Sequence, residues 1–127
     1  MTATSTPVQD PSWTATLPAD RGLTIAWTAA ASGGNRYTIT GNEILILRSA
    51  NAGVVTVTLD SAPCDQGYST VHDWTCTIPI GSGTEQFKVT DRISKSHFSN
   101  TVDAAPTQCL ITCSPYANVS MAVIKID

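Results

Sequence analysis

Charge is what this chain has least of. Only 13% of its 127 residues are Asp, Glu, Lys or Arg, about half the roughly 25% of ordinary soluble domains. The polarity comes instead from 31 serines and threonines, which hold mean hydropathy at +0.03. Seven Lys and Arg against ten Asp and Glu, with no basic run, give no electrostatic footprint for a nucleic acid. No window reaches the roughly 18 consecutive apolar residues of a membrane span, so no membrane partner is expected. Met1–Pro7 has neither the basic nor the apolar region of a secretory leader, and a reducing compartment is the expectation. A sustained i, i+3, i+4 apolar pattern is also missing, which excludes a helical bundle. Disorder goes with low hydrophobicity and high net charge; here 42% of residues are hydrophobic and the net charge is −3.

What is present is alternation. Leu23, Ile25 and Trp27 share one face of a strand, and Tyr37 and Ile39 alternate with Thr38 and Thr40. Glu43–Arg48 is nearly continuously apolar and predicts a strand buried on both faces. Val55, Val57 and Leu59 are in phase, as are Phe87 and Val89; Trp74–Ile78, Cys109–Ser114 and Val119–Ile126 complete the set. Ser32–Asn35, Gly41–Asn42, Asn51–Gly53, Gly81–Gly83 and Pro115–Asn118 supply the turns. Asp91–Pro106 is the least regular stretch and the one place for a short helical turn. Eight or nine short strands at roughly 8–12-residue spacing predict an all-β fold, a single β-sandwich or jelly-roll-like domain over 23–127. Residues 1–22 carry Pro7, Pro11 and Pro18 and no periodicity. They read as an extended N-terminal arm able to reach about 60 Å.

Chemistry is sparse. Cys109 and Cys113 stand four apart on one predicted strand, hence roughly 13 Å apart, too far for a disulfide unless the strand breaks. The spacings C-x11-C and C-x3-C fit zinc poorly. Buried free thiols are favoured over bridges through Cys64 or Cys76, and over a metal. His72 and His97 are isolated, although His72 adjoins Asp73. The Gly67–Thr70 run around Ser69 lacks the G-x-S-x-G form of a nucleophile elbow. The ten acids are scattered. No catalytic residue, metal or cofactor is therefore expected. Trp13, Trp27 and Trp74 could build a stacking platform for a ligand, but core or interface packing is the favoured role.

Gly41–Arg48, the strand Val54–Leu59 after Asn51–Gly53, and the closing strand Val119–Ile126 resemble the capsid decoration (cementing) proteins of tailed bacteriophages. That resemblance covers roughly 22–126 in pattern. It implies a structural virion protein, made in the host cytoplasm and bound to the outer surface of the head. There it would be a homo-oligomer, often a trimer, and would contact the major capsid protein to lock capsomers together. Trp13 and Leu17 are then the expected anchors of the arm on the shell. Charge depletion suits a surface covered by neighbours. The alternative expectation is a glycan- or receptor-binding β-sandwich, such as a fibre or adhesin head, with Tyr68 and Trp74 in a binding loop.

Overall fold

Alternation along the strand-forming segments becomes two sheets whose apolar faces meet. The computed structural model describes residues 2–10, 25–62, 73–78 and 85–126. Its strands are β1 (Thr4–Ser5), β2 (Val8–Gln9), β3 (Thr28–Ala29), β4 (Asn35–Thr38), β5 (Glu43–Ser49), β6 (Val55–Leu59), β7 (Trp74–Ile78) and β8 (Gln86–Val89). A single helical turn, α1 (Lys95–Phe98), precedes β9 (Asn100–Val102), β10 (Ala105–Ser114) and β11 (Val119–Lys125). One sheet runs β1-β4-β10-β6-β7, with β9 added to β10; the other runs β2-β11-β5-β8, with β3 added to β11. The all-β sandwich is the fold expected from the sequence.

Between the sheets lie Tyr37, Ile39, Leu45, Leu47, Val55, Val57, Leu59, Ile111, Met121 and Val123, each no more than 2% exposed. The strand β5 differs from its expectation. Leu45 and Leu47 are fully buried, whereas Ile44 and Ile46 are only half-buried. A two-layer sandwich covers one face of each sheet, so a continuous apolar run there leaves part of itself on the outside. Along β11, by contrast, Ala122 and Ile124 on the outer face are buried as well as Met121 and Val123.

The N-terminal segment also differs. Its described part is extended, but it is strand within the sandwich and not a separate arm: β1 pairs in parallel with β4 and β2 in parallel with β11. Thr4 N donates to Gly34 O at 2.9 Å and Thr6 N to Arg36 O at 2.8 Å. The sandwich therefore starts at Thr4, ahead of the boundary at 23. Two-residue strands have no periodicity to read, and their pairing is set by open edges on β4 and β11. Trp13 and Leu17 lie outside the described residues.

Buried polar groups tie the turns. The Glu43 carboxylate, 1% exposed, accepts from Thr40 N (2.8 Å), Gly41 N (3.3 Å) and the Thr40 hydroxyl. Gly34 has φ +87°, and a Cβ there would stand 3.1 Å from both Ile111 O and Leu110 Cδ1. Glycine is required at that turn by backbone conformation and by space together. The Asp91–Pro106 stretch holds the expected helical turn and, beyond it, the β9–β10 hairpin. Asp103 and Ala104 form its two-residue loop, both with positive φ (51° and 65°), the geometry of a hairpin turn matched to strand twist.

Candidate interaction surface

The strand β8 is the exposed rim of the second sheet. It pairs with β5 on one side (Val89 with Ile46, Lys88 with Leu47, Phe87 with Arg48). Among the described residues no strand pairs with its other side. Phe87 and Val89 are 56% and 58% exposed, the most exposed large apolar side chains described. The Phe87 ring lies 6.3 Å from Trp27, tilted by 51°, within the range of favourable aromatic pairs. Arg48, which opposes Phe87, holds its guanidinium carbon 4.4 Å from the Trp27 ring centroid, a cation–π contact. Its Nε is 3.9 Å from Glu85 Oε1. Phe87, Trp27 and Arg48 thus form one patch on the outer face, built from the strand rim and the segment leading into β3.

A cleft of about 320 Å³ opens beside this rim, lined by Leu59, Trp74, Val89, Thr90, Asp91, Arg92, Ile93 and Phe98. It lies where the end of β6 and the start of β7 face the chain that leaves β8. Trp74 and Phe98 pack against the core and form its apolar floor; Thr90, Asp91 and Arg92 bring polar groups to it. The volume falls at the small end of ligand pockets. Val89 belongs to both the rim and the cleft.

Cys76, Cys109 and Cys113 are free thiols, as favoured from spacing, and Cys109 and Cys113 share β10. Burial pushes the Cys109 thiol up to about 12, opposed in part by the neighbouring Tyr37 side chain and reinforced by Asp60 and Glu43. Burial pushes Cys113 up to about 11, with Cys76 adding to the effect. Cys76, half-buried on β7, is raised by burial and lowered in part by Lys88. Burial and then the nearby Asp73 raise the Asp60 carboxyl. These shifts disfavour thiolates and give no activated nucleophile. Among the described residues no three His, Cys, Asp or Glu side chains converge as a metal site. No helix described is long and apolar enough to cross a membrane.

The structure gives Trp27 and Trp74 no shared platform, the role that the sequence disfavoured against packing. Trp27 lies by the outer face of the second sheet, Trp74 stands on β7 of the first, and Trp13 lies outside the described residues. Tyr68, Ser69, His72 and Cys64 also lie outside them. His97 sits in α1, where its carbonyl accepts from Ala62 N at 2.6 Å. Arg48 and Phe87 were not legible as a pair, because their contact depends on the β5–β8 register. A clue was the charged Lys88 between two apolar neighbours, a pattern of rim strands.

Two facing sheets with an apolar layer between them define an immunoglobulin-like β-sandwich. A family model described as TIG, the IPT/TIG domain, matches residues 24–115. The chain belongs to that family, whose domains are non-catalytic immunoglobulin-like folds that often mediate binding or adhesion. No curated protein and no solved structure matches the chain. The family match begins after β2 and ends before β11, so β1, β2 and β11 lie outside the matched span.

Proposed function

We propose that this domain is a structural virion protein that binds the outer surface of a phage head and stabilises contacts between capsomers. The major capsid protein is its partner and the β8 rim its contact. The observation that carries this reading is the pair Phe87 and Val89, both more than half exposed on a strand with one side open among the described residues. Exposed apolar groups next to unused backbone hydrogen-bonding groups suit capture of a protein surface or strand. Family membership supports a binding role, and the likeness of the strands to decoration proteins supports its setting. Assembly as a trimer in the host cytoplasm and on the virion belongs to the same proposal.

Co-sedimentation with expanded, empty heads tests it. Saturable binding at micromolar concentration is the expected result, weakened by Val89→Glu. Wild-type protein that stays in the supernatant at those concentrations removes the capsid role.

A second reading rests on the cleft. Trp74 with Asp91 and Arg92 offers an aromatic floor and polar groups at the scale of one sugar ring, the chemistry of a glycan receptor site. A glycan-array signal lost in a folded Trp74→Ala variant would favour this reading over the first.

A further inference from the structure

We propose that the site now holding residues 3–9 is an exchange site, filled by the same segment of a neighbouring copy when copies are crowded together. The proposal holds whatever partner the β8 rim binds. The hydrogen-bond partners described below for this segment all belong to the body of the domain. Ala3 N donates to Asp103 Oδ2 at 2.8 Å, Thr4 N to Gly34 O and Thr6 N to Arg36 O. The Asn35 amide donates to Thr6 Oγ1. Gln9 makes a reciprocal pair with Ala26, donating from Nε2 to Ala26 O at 2.7 Å and accepting from Ala26 N at 2.9 Å. A second chain could supply the identical segment and make the identical bonds.

The core is complete without the segment. None of residues 3–9 belongs to the buried apolar cluster, and Thr6 is the one of them that is buried. What holds it is backbone pairing at two open edges and one buried amide. Such attachments are the first to open locally in a fold.

The connection supplies the reach. Gln9 and Ala26 touch, yet residues 10–25 stand between them in sequence. Fully extended, sixteen residues span about 50 Å, more than enough to reach an adjacent copy of a domain this size. Because both arrangements share one set of contacts, concentration decides between them. A short linker presents its own segment at an effective concentration in the millimolar range. Dilute protein therefore keeps its segment, and copies packed side by side on a lattice exchange it, each tied to the next without any new interface.

Two full-length variants test this, using the paired positions Ser5 and Arg36. Ser5→Cys protein is mixed with Arg36→Cys protein, opened in mild denaturant, returned to buffer and oxidised. At about 1 mM a disulfide-linked heterodimer is expected, about tenfold or more above its yield at about 10 µM. A yield at 1 mM no greater than that of Ser5→Cys mixed with wild type, which reports random thiol encounters, overturns the proposal. Arg36 also bonds Gln108 and lies near Asp103, so a second measurement uses wild-type chains alone. In a concentrated mixture of isotope-labelled and unlabelled protein, a filtered nuclear Overhauser effect between Thr6 of one chain and Asn35 of another is expected. Its absence in a sample equilibrated through mild denaturant also overturns exchange.

Discussion

One buried amide joins three parts of the chain: Asn35 Nδ2 donates to Thr6 Oγ1 at 3.3 Å and to Ala29 O at 3.2 Å, while its Oδ1 accepts from Ala31 N at 3.0 Å. The side chain is 1% exposed, so no solvent can replace these bonds. Asn35→Ala leaves their partners with unmet hydrogen-bonding capacity, at a cost of about 2–4 kcal/mol. Urea unfolding should show the midpoint fall with little change in slope. A midpoint within experimental scatter of wild type would remove Asn35 as the tie.

The β9–β10 hairpin carries a correctable strain. Ala104 sits at φ 65°, a left-handed conformation that side chains disfavour and glycine adopts freely. Ala104→Gly should raise stability by about 0.5–1 kcal/mol, net of the added freedom of the unfolded chain. Thermal unfolding checks it, and a lowered midpoint contradicts it.

Alkali should unfold the domain through its thiols. Cys109 and Cys113 are raised from 9.0 to about 12 and about 11. The folded state holds these protons more tightly than the unfolded state. Their stabilisation is therefore complete below about pH 9 and is lost as pH climbs through the folded values. Between about pH 9 and 11 each thiol contributes a fall of up to about 1.4 kcal/mol per pH unit; above that Cys113 drops out and Cys109 continues, while Tyr37, raised by burial from its ordinary 10.0, adds in the same direction from about pH 10. Urea titrations across this range should steepen the loss, and the Cys109→Ala/Cys113→Ala double variant should flatten it.

Binding and stability should separate at the rim. Val89 is 58% exposed, so Val89→Glu should change the unfolding free energy by no more than about 0.5 kcal/mol. Burying one such side chain against a partner is worth roughly 1.5–3 kcal/mol, and partner affinity should fall about tenfold or more. Equal losses in both measurements would mean that Val89 serves the fold.

The long strands were legible because their alternation is strong. Val55, Val57 and Leu59 are in phase in the sequence and buried in the structure, and Trp74–Ile78 matches β7 residue for residue. The β9–β10 hairpin was hidden because its turn is Asp103-Ala104, without the glycine that marks such loops. The segments β1 and β2 were hidden because two residues cannot show a period. The interaction surface was hidden for a different reason. Phe87 and Val89 look like core residues in one dimension, and only the β5–β8 register shows that they lie on the outer face, opposite Arg48 and Ile46.

Lys88 limits what can stack on that rim. Its position opposite Leu47 places an ammonium on the core-facing side of the open strand. A flat apolar strand laid along β8 would have to strip water from that charge without compensation, which is costly. Indiscriminate edge-to-edge stacking is discouraged in this way, although the backbone groups stay available. A strand bringing a carboxylate to the same row would meet no such barrier. One lysine therefore guards an open edge against apolar stacking on a surface that has little charge to spare.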